Sequence, residues 1–266
     1  MTALRITPLF ALGSRRSLHM IERNLLVYRH GWLMLLSGFF EPLFYLLSIG
    51  FGLGKLVGDV NGPGGQLISY TLFVAPALLA ASSMNGAVNE STFNFFFKLN
   101  YDKTFASILT TPMSPADIAL GELGWALMRG GLYTIGFIAV MVVLGLVRSP
   151  LIILTIPGAL LIGFAFAAVG MAATSFMRSW QDFDLIQLVV LPMFLFSGTF
   201  FPLDGLPDVV RFIVYLTPLY HGVELLRGLS LGVIGPDILV HIGYLAAMGL
   251  LGFTVVAGRL DKLLLK

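Results

Sequence analysis

The nearest approach to a nucleotide-binding motif in this chain is Gly50-Phe51-Gly52-Leu53-Gly54-Lys55-Leu56. A phosphate loop needs GxxxxGK followed by Ser or Thr, so that backbone amides cradle the phosphates and the hydroxyl holds magnesium. Here the glycine spacing is wrong and Leu56 carries no ligand atom. The chain is therefore expected neither to bind nor to hydrolyse ATP unaided. The four histidines, His19, His30, His221 and His241, show no metal-ligand spacing, and neither HExxH nor GxSxG occurs. Cysteine is absent, which excludes thiol catalysis, disulfides and thiolate metal sites. Only Glu41, Asp204, Asp208, His221 and Glu224 offer polar groups to a membrane-embedded lipid-modifying enzyme.

Two polar features within apolar sequence remain. Glu41 lies nine residues after Trp32, about 14 Å along a helix axis and so near the middle of a bilayer. A carboxylate there costs a few kcal/mol unless it is paired, protonated or wetted. It either lines a substrate path or gate, or fixes the packing of spans; Pro42 beside it should bend the helix and favours the second role. Arg129 is a candidate partner by depth. Ser82, Ser83, Asn85, Asn89 and Glu90 form a polar stripe on the second span. That stripe either lines a path or makes a helix–helix contact.

The elements that must position these residues follow from composition. Of 266 residues, 57% are hydrophobic and 11% charged, with a mean hydropathy of +0.91. Soluble domains carry about 25% charged residues. A net charge of +2 gives no sign of a nucleic-acid partner. Crossing a bilayer takes about 20 largely apolar residues. Leu33–Gly54, Leu67–Val88, Gly130–Val147, Leu151–Met177 and Ile238–Ala257 qualify, and Leu185–Phe201 supplies a shorter sixth. The first run follows about 30 polar and basic residues, so it is expected to be an uncleaved span, with Trp32 as its interface anchor. Arg5, Arg15, Arg16, Arg23, Arg29, Lys98, Lys103, Arg178, Arg259, Lys262 and Lys266 fall on one side, against Lys55, Arg148, Arg211 and Arg227 on the other. This bias puts both termini in the cytoplasm of a multi-pass protein of the cell (inner or cytoplasmic) membrane. Arg129 is set at a span boundary.

Between the spans, residues 15–30 read as a basic amphipathic helix. Leu18, Ile21, Leu25 and Tyr28 lie on one face, with Arg16, Glu22, Arg23 and Arg29 on another. Such a helix rests in the headgroup layer, or serves only to orient the chain. Residues 55–66 form a glycine-rich connector. The inner segment 89–128 centres on Thr110-Thr111-Pro112-Met113-Ser114-Pro115-Ala116-Asp117. A helix begins near Pro115 with an acidic first turn, short and exposed enough for a partner protein to grip. The outer segment 202–236 contains two short apolar stretches, Val209–Leu216 and Val223–Leu231, punctuated by prolines. It reads as a re-entrant hairpin. Asp208 and Arg227 have the right signs for helix dipoles there.

Three features together resemble a known family. They are the basic helix before span one, Thr-Pro-x-Ser before a helix, and the hairpin Ser-Gly-x-x-Phe-Pro…Leu-Pro…Pro-Leu…Glu-Leu-x-Arg. The chain is similar to the membrane subunits of ABC type-2 exporters. Through Glu41-Pro42-Leu43, Gly50–Gly54 and Gly121-Glu122…Trp125…Arg129 it resembles the nodulation-type lipo-oligosaccharide subgroup. The resemblance implies an all-α permease of six spans (33–266), preceded by a connecting helix within 1–32 that includes Arg16, Arg23 and Arg29. It implies a coupling region around Thr110, Thr111, Pro112, Met113, Ser114 and Asp117. It also implies an outer gate built from Phe200, Phe201, Pro202, Leu206, Pro207, Pro218, Glu224 and Arg227. Two permeases, copies or paralogues, would pair around the path of an amphipathic lipo-oligosaccharide or glycolipid, or of an antibiotic or drug. ATP and magnesium would sit on a separate cytoplasmic ATPase, itself in two copies, and this chain would carry no cofactor.

Overall fold

In a computed structural model the described residues are 16–29 and 40–265. Trp32 and the first residues of the expected first span lie outside them. The first helix, α1 (Arg16–Tyr28), is amphipathic, but its packed face differs from the expected one. Met20 and Asn24 are buried, whereas Leu18 and Leu25 are exposed. The polar Asn24 faces inward because it joins charges on two other helices, and the leucines are left on the outer side of the bundle.

Five helices are long and apolar enough to cross a membrane: α2 (Phe40–Val57), α3 (Tyr70–Tyr101), α5 (Pro115–Val143), α6 (Pro150–Thr174) and α10 (Asp237–Leu264). Between them run α4 (Thr104–Ile108), α7 (Phe183–Phe196), α8 (Asp208–Tyr215) and α9 (Pro218–Leu231). α8 and α9 meet at 82° at the expected hairpin and together are apolar enough for one broken span or a re-entrant pair. The expected sixth span is α7. Its 14 residues cover about 21 Å, short of a bilayer's roughly 30 Å of hydrocarbon. None of them is buried.

The one β element among the described residues is a hairpin in the connector after α2. β1 (Asp59–Asn61) pairs antiparallel with β2 (Leu67–Ser69), with Val60 opposite Ile68. Gly64 and Gly65 both take φ near 75°, a region closed to most side chains, and so permit the tight turn between the strands.

α3 is the central helix. With 32 residues it extends about 48 Å, well past the expected end at Val88. α5 starts at Pro115 rather than Gly130, so the expected 40-residue inner loop shrinks to 102–114. Arg129 consequently sits inside a helix and not at its boundary. The phenylalanines at the end of α3 divide, with Phe93 exposed and two others turned inward. Phe95 and Phe96 are buried against Phe105 and Phe183.

Small residues let the backbones approach, as membrane helix packing requires. A Cβ on Gly252 of α10 would lie 2.8 Å from the Ala168 backbone of α6, and one on Gly170 would lie 2.1 Å from the Ser91 hydroxyl of α3. Thr71 of α3 donates to the Gly50 carbonyl of α2 at 2.6 Å, within a π-helical stretch whose widened turns free such carbonyls.

Candidate functional site

The end of the molecule that carries α1 is held by two ion pairs between antiparallel helices. Lys98 of α3 lies 2.6 Å from Glu122 of α5, and Glu90 of α3 lies 2.6 Å from Arg129 of α5. Both carboxylates are only 4% exposed. α1 is woven into the same network. Asn24 donates to Glu122 at 3.4 Å and accepts from Lys98 at 3.5 Å. Tyr28 stacks on Trp125 at 5.1 Å, with the Arg129 guanidinium 5.7 Å from its ring. The fit depends on Gly121 and Gly124, where Cβ atoms would come within 2.3 Å of Met20 and 2.9 Å of Ile21. A buried pair adds little net stability, because desolvation offsets attraction; losing one partner costs about 3–5 kcal/mol. The pairs therefore fix which surfaces of α1, α3 and α5 meet.

Arg129 thus pairs with Glu90, not with Glu41 as expected. The two carboxylates differ in setting. Glu41 is exposed on α2, whereas Glu90 is buried on the helix directly facing Arg129.

The expected coupling residues divide in two. Thr110, Thr111, Pro112 and Ser114 are exposed, and Met113 is half-buried. The two threonine hydroxyls donate to the Ser107 and Ile108 carbonyls at 2.8 and 2.6 Å, closing off the end of α4. Arg16 reaches the Pro112 carbonyl at 2.5 Å and ties α1 to this loop. Asp117 is buried, and its carboxylate accepts from the Ser114 amide at 3.0 Å in a capping box. It therefore caps α5. The short helix of this region is α4, before Thr110; the helix that begins at Pro115 is a full span. Arg23 donates to Asn24 at 3.3 Å, and Arg29 is exposed at the end of α1.

Glu41, Ser82, Asn85, Asn89 and Glu90 line one cavity of about 90 Å³, together with Asn94, Arg129 and Tyr133. Steps of three and four residues along α3 put Ser82, Asn85 and Asn89 on one face. Ser83 falls outside it and donates back to the Leu79 carbonyl at 2.9 Å. Asn94 donates to Glu90 Oε2 at 2.9 Å and Arg129 donates to Tyr133 at 2.8 Å. Glu90 Oε1 is buried without a partner among the described residues. Such a cavity has room and polar partners for a few waters or one small polar group.

At the opposite end, Arg227 is buried rather than poised at a helix terminus. It pairs with Glu224 at 2.5 Å, donates to the Gly198 and Phe73 carbonyls at 2.7 and 3.3 Å, and lies over the Phe73 ring at 3.8 Å. One guanidinium thereby joins α9, the turn after α7 and α3, using its planar fork of donors. Phe200 packs on Phe194, and its carbonyl accepts from Tyr70 at 3.0 Å. Phe201 and Pro202 line a recess with Glu224 and Arg227. Leu206 accepts from Arg211, Pro207 precedes the first residue of α8, and Pro218 opens α9. Sequence reasoning missed the contact between His221 and His241, whose Nδ1 atoms lie 2.8 Å apart. No local spacing foreshadows it, since the two rings come from different helices.

Residues 17–231 match the family described as ABC-2 type transporter. The chain is 33% identical to Nodulation protein J of Rhizobium leguminosarum bv. trifolii over 256 residues, covering 96% of each chain. It is 31% identical to Nodulation protein J of Rhizobium meliloti (strain 1021), covering 92% of each. It is also 28% identical to the inner membrane transport permease YhhJ of Escherichia coli (strain K12), over 60% of this chain and 44% of that protein. With its long apolar helices, bent hairpin and family match running from α1 through α9, this chain belongs to the ABC-2 type transporter family, as a multi-pass membrane permease subunit of an ABC exporter.

Proposed function

We propose that this permease moves an amphipathic glycolipid, of the lipo-oligosaccharide class, outward across the cell membrane, driven by a separate ATPase that docks beneath α4 and the 109–114 loop. The observation that carries this reading is the continuous linkage from that loop to the spans. Thr110, Thr111 and Pro112 are exposed, Arg16 ties Pro112 to α1, and α1 is locked to α3 and α5 through the Lys98–Glu122 and Glu90–Arg129 pairs. A push on the loop therefore moves packed helices as a unit, which is what a two-state transporter needs. Both termini face the cytoplasm, with α7 and the turns that flank it making the sixth crossing, and there the ATPase brings ATP and magnesium. Two permeases, each above one ATPase, pair around the path. The polar cavity around Glu41 and Asn85 meets a polar part of the cargo, while the apolar surfaces of α2 and α7 meet its acyl chain.

The test is co-reconstitution in vesicles with the ATPase recovered by affinity purification from native membranes. Transfer of a fluorescent glycolipid to the far leaflet should require ATP and both proteins. Recovery of no ATPase would remove the reading. Transfer of an amphipathic drug with no transfer of glycolipid would change the cargo and leave the machine intact.

A further inference from the structure

The re-entrant pair and the last span enclose a pocket of about 510 Å³ that no role above employs. Four rings line it, those of Tyr215, Tyr220, His221 and His241, together with the carboxylates of Glu224 and Asp237. A recess of about 170 Å³ adjoins it and shares Tyr215, Tyr220 and Glu224. Sites for small organic ligands fall in the range of about 300–1,000 Å³.

The walls are braced before any ligand arrives. Tyr215 and Tyr220 pack at 5.1 Å, Tyr220 and His241 at 5.9 Å. The 2.8 Å contact between the His221 and His241 Nδ1 atoms requires one to donate and the other to accept, so the pair cannot hold two full positive charges there. Arg227, the cation at the adjoining recess, is spent on Glu224, Gly198 and Phe73. Asp237 makes no side-chain hydrogen bond or ion pair among the described residues. Among the described residues the pocket thus offers ring faces and carboxylate acceptors, and no free cation for an anion.

We propose that this pocket binds the saccharide portion of an uncharged glycan. A pyranose presents flat C–H faces to aromatic rings and several hydroxyl donors to carboxylates at once, which matches both kinds of wall. Its role as a receiving site for the emerging headgroup rests on the export reading and orientation given above; the binding chemistry itself does not.

The test uses the full chain in lipid nanodiscs, with uncharged linear tetrasaccharides of differing linkage, tetramethylammonium and inorganic phosphate as probes, read by saturation-transfer NMR and calorimetry. At least one tetrasaccharide should bind. Tyr220→Ala and Asp237→Asn should each weaken it at least tenfold, while Thr254→Ala, exposed on α10 and outside the cavities described, leaves it unchanged. Asp237 is exposed, so its variant keeps the test valid if Tyr220→Ala fails to fold. No saccharide binding, binding indifferent to both pocket variants, or tighter binding of tetramethylammonium or phosphate would overturn the proposal. Saccharide binding without ATP-dependent transfer would instead refute export and leave the site standing.

Discussion

Glu122 of α5 is contacted from two helices at once, by Lys98 of α3 at 2.6 Å and by Asn24 of α1 at 3.4 Å. Three helices thus converge on one buried carboxylate. Replacing Lys98 by Ala strands that charge, and the expected loss of stability is about 3–5 kcal/mol. The exchange Lys98→Glu with Glu122→Lys should recover part of it, because the pair is restored in reverse. Thermal unfolding in detergent of the single and double variants checks this. An additive double variant would mean that the two residues do not act as a pair.

The Glu90–Arg129 pair should behave differently under neutral substitution. Arg129→Gln alone leaves Glu90 buried with both oxygens short of a cation, so it should destabilise by a few kcal/mol. Glu90→Gln with Arg129→Gln removes both charges and should cost less than the single change. Glu41→Gln should leave stability nearly unchanged, since Glu41 is exposed and is not the partner of Arg129. A larger loss for Glu41→Gln than for Arg129→Gln would reverse the assignment.

Gly121 sets how closely α1 approaches α5. A Cβ there meets Met20 at 2.3 Å and the Ser17 carbonyl at 3.0 Å, so even Gly121→Ala forces α1 outward. The expected result is faster hydrogen exchange of α1 amides and weaker ATP-driven transfer, with α3 and α6 protected as before. Gly130→Ala on the same helix has open space around it and serves as the control.

How much of this was legible in the sequence depends on the range of the interaction. The Ser114 cap, the proline that opens α9 and the apolar runs are local patterns, and each can be read along the chain. The full length of α3 and α5 was hidden because Glu90, Lys98 and Glu122 look like loop charges when counted singly. Paired antiparallel, eight residues apart on α3 and seven apart from Glu122 to Arg129 on α5, they neutralise one another and let both helices continue. Ser82, Asn85 and Asn89 were visible as a stripe through their helical spacing. That Ser83 leaves it, and that Glu41 joins it from α2, depends on tertiary packing.

The turn after α6 supplies a pH prediction. The Arg178 and Ser179 backbone amides donate to Asp182 at 2.8 and 3.2 Å and hold its carboxyl below the usual range. A depressed folded pKa stabilises the turn above the unfolded value of about 3.9, and this is lost as pH falls through the folded value. Asp182→Asn at neutral pH should therefore speed exchange of those two amides. The wild type should show no such change until the pH drops below about 4. A loss of protection between pH 5 and 7 would assign it to another group.

Because the chain contains no cysteine, Thr111→Cys creates a single thiol on the exposed loop. Cross-linking from that thiol, in vesicles carrying the permease and the co-purified ATPase, tests the central claim most directly. The expected product is a permease–ATPase conjugate whose formation abolishes ATP-dependent glycolipid transfer, with thiol release restoring it. Transfer or ATP hydrolysis by the permease alone, or no conjugate while transfer proceeds, would contradict a motor docked at this loop.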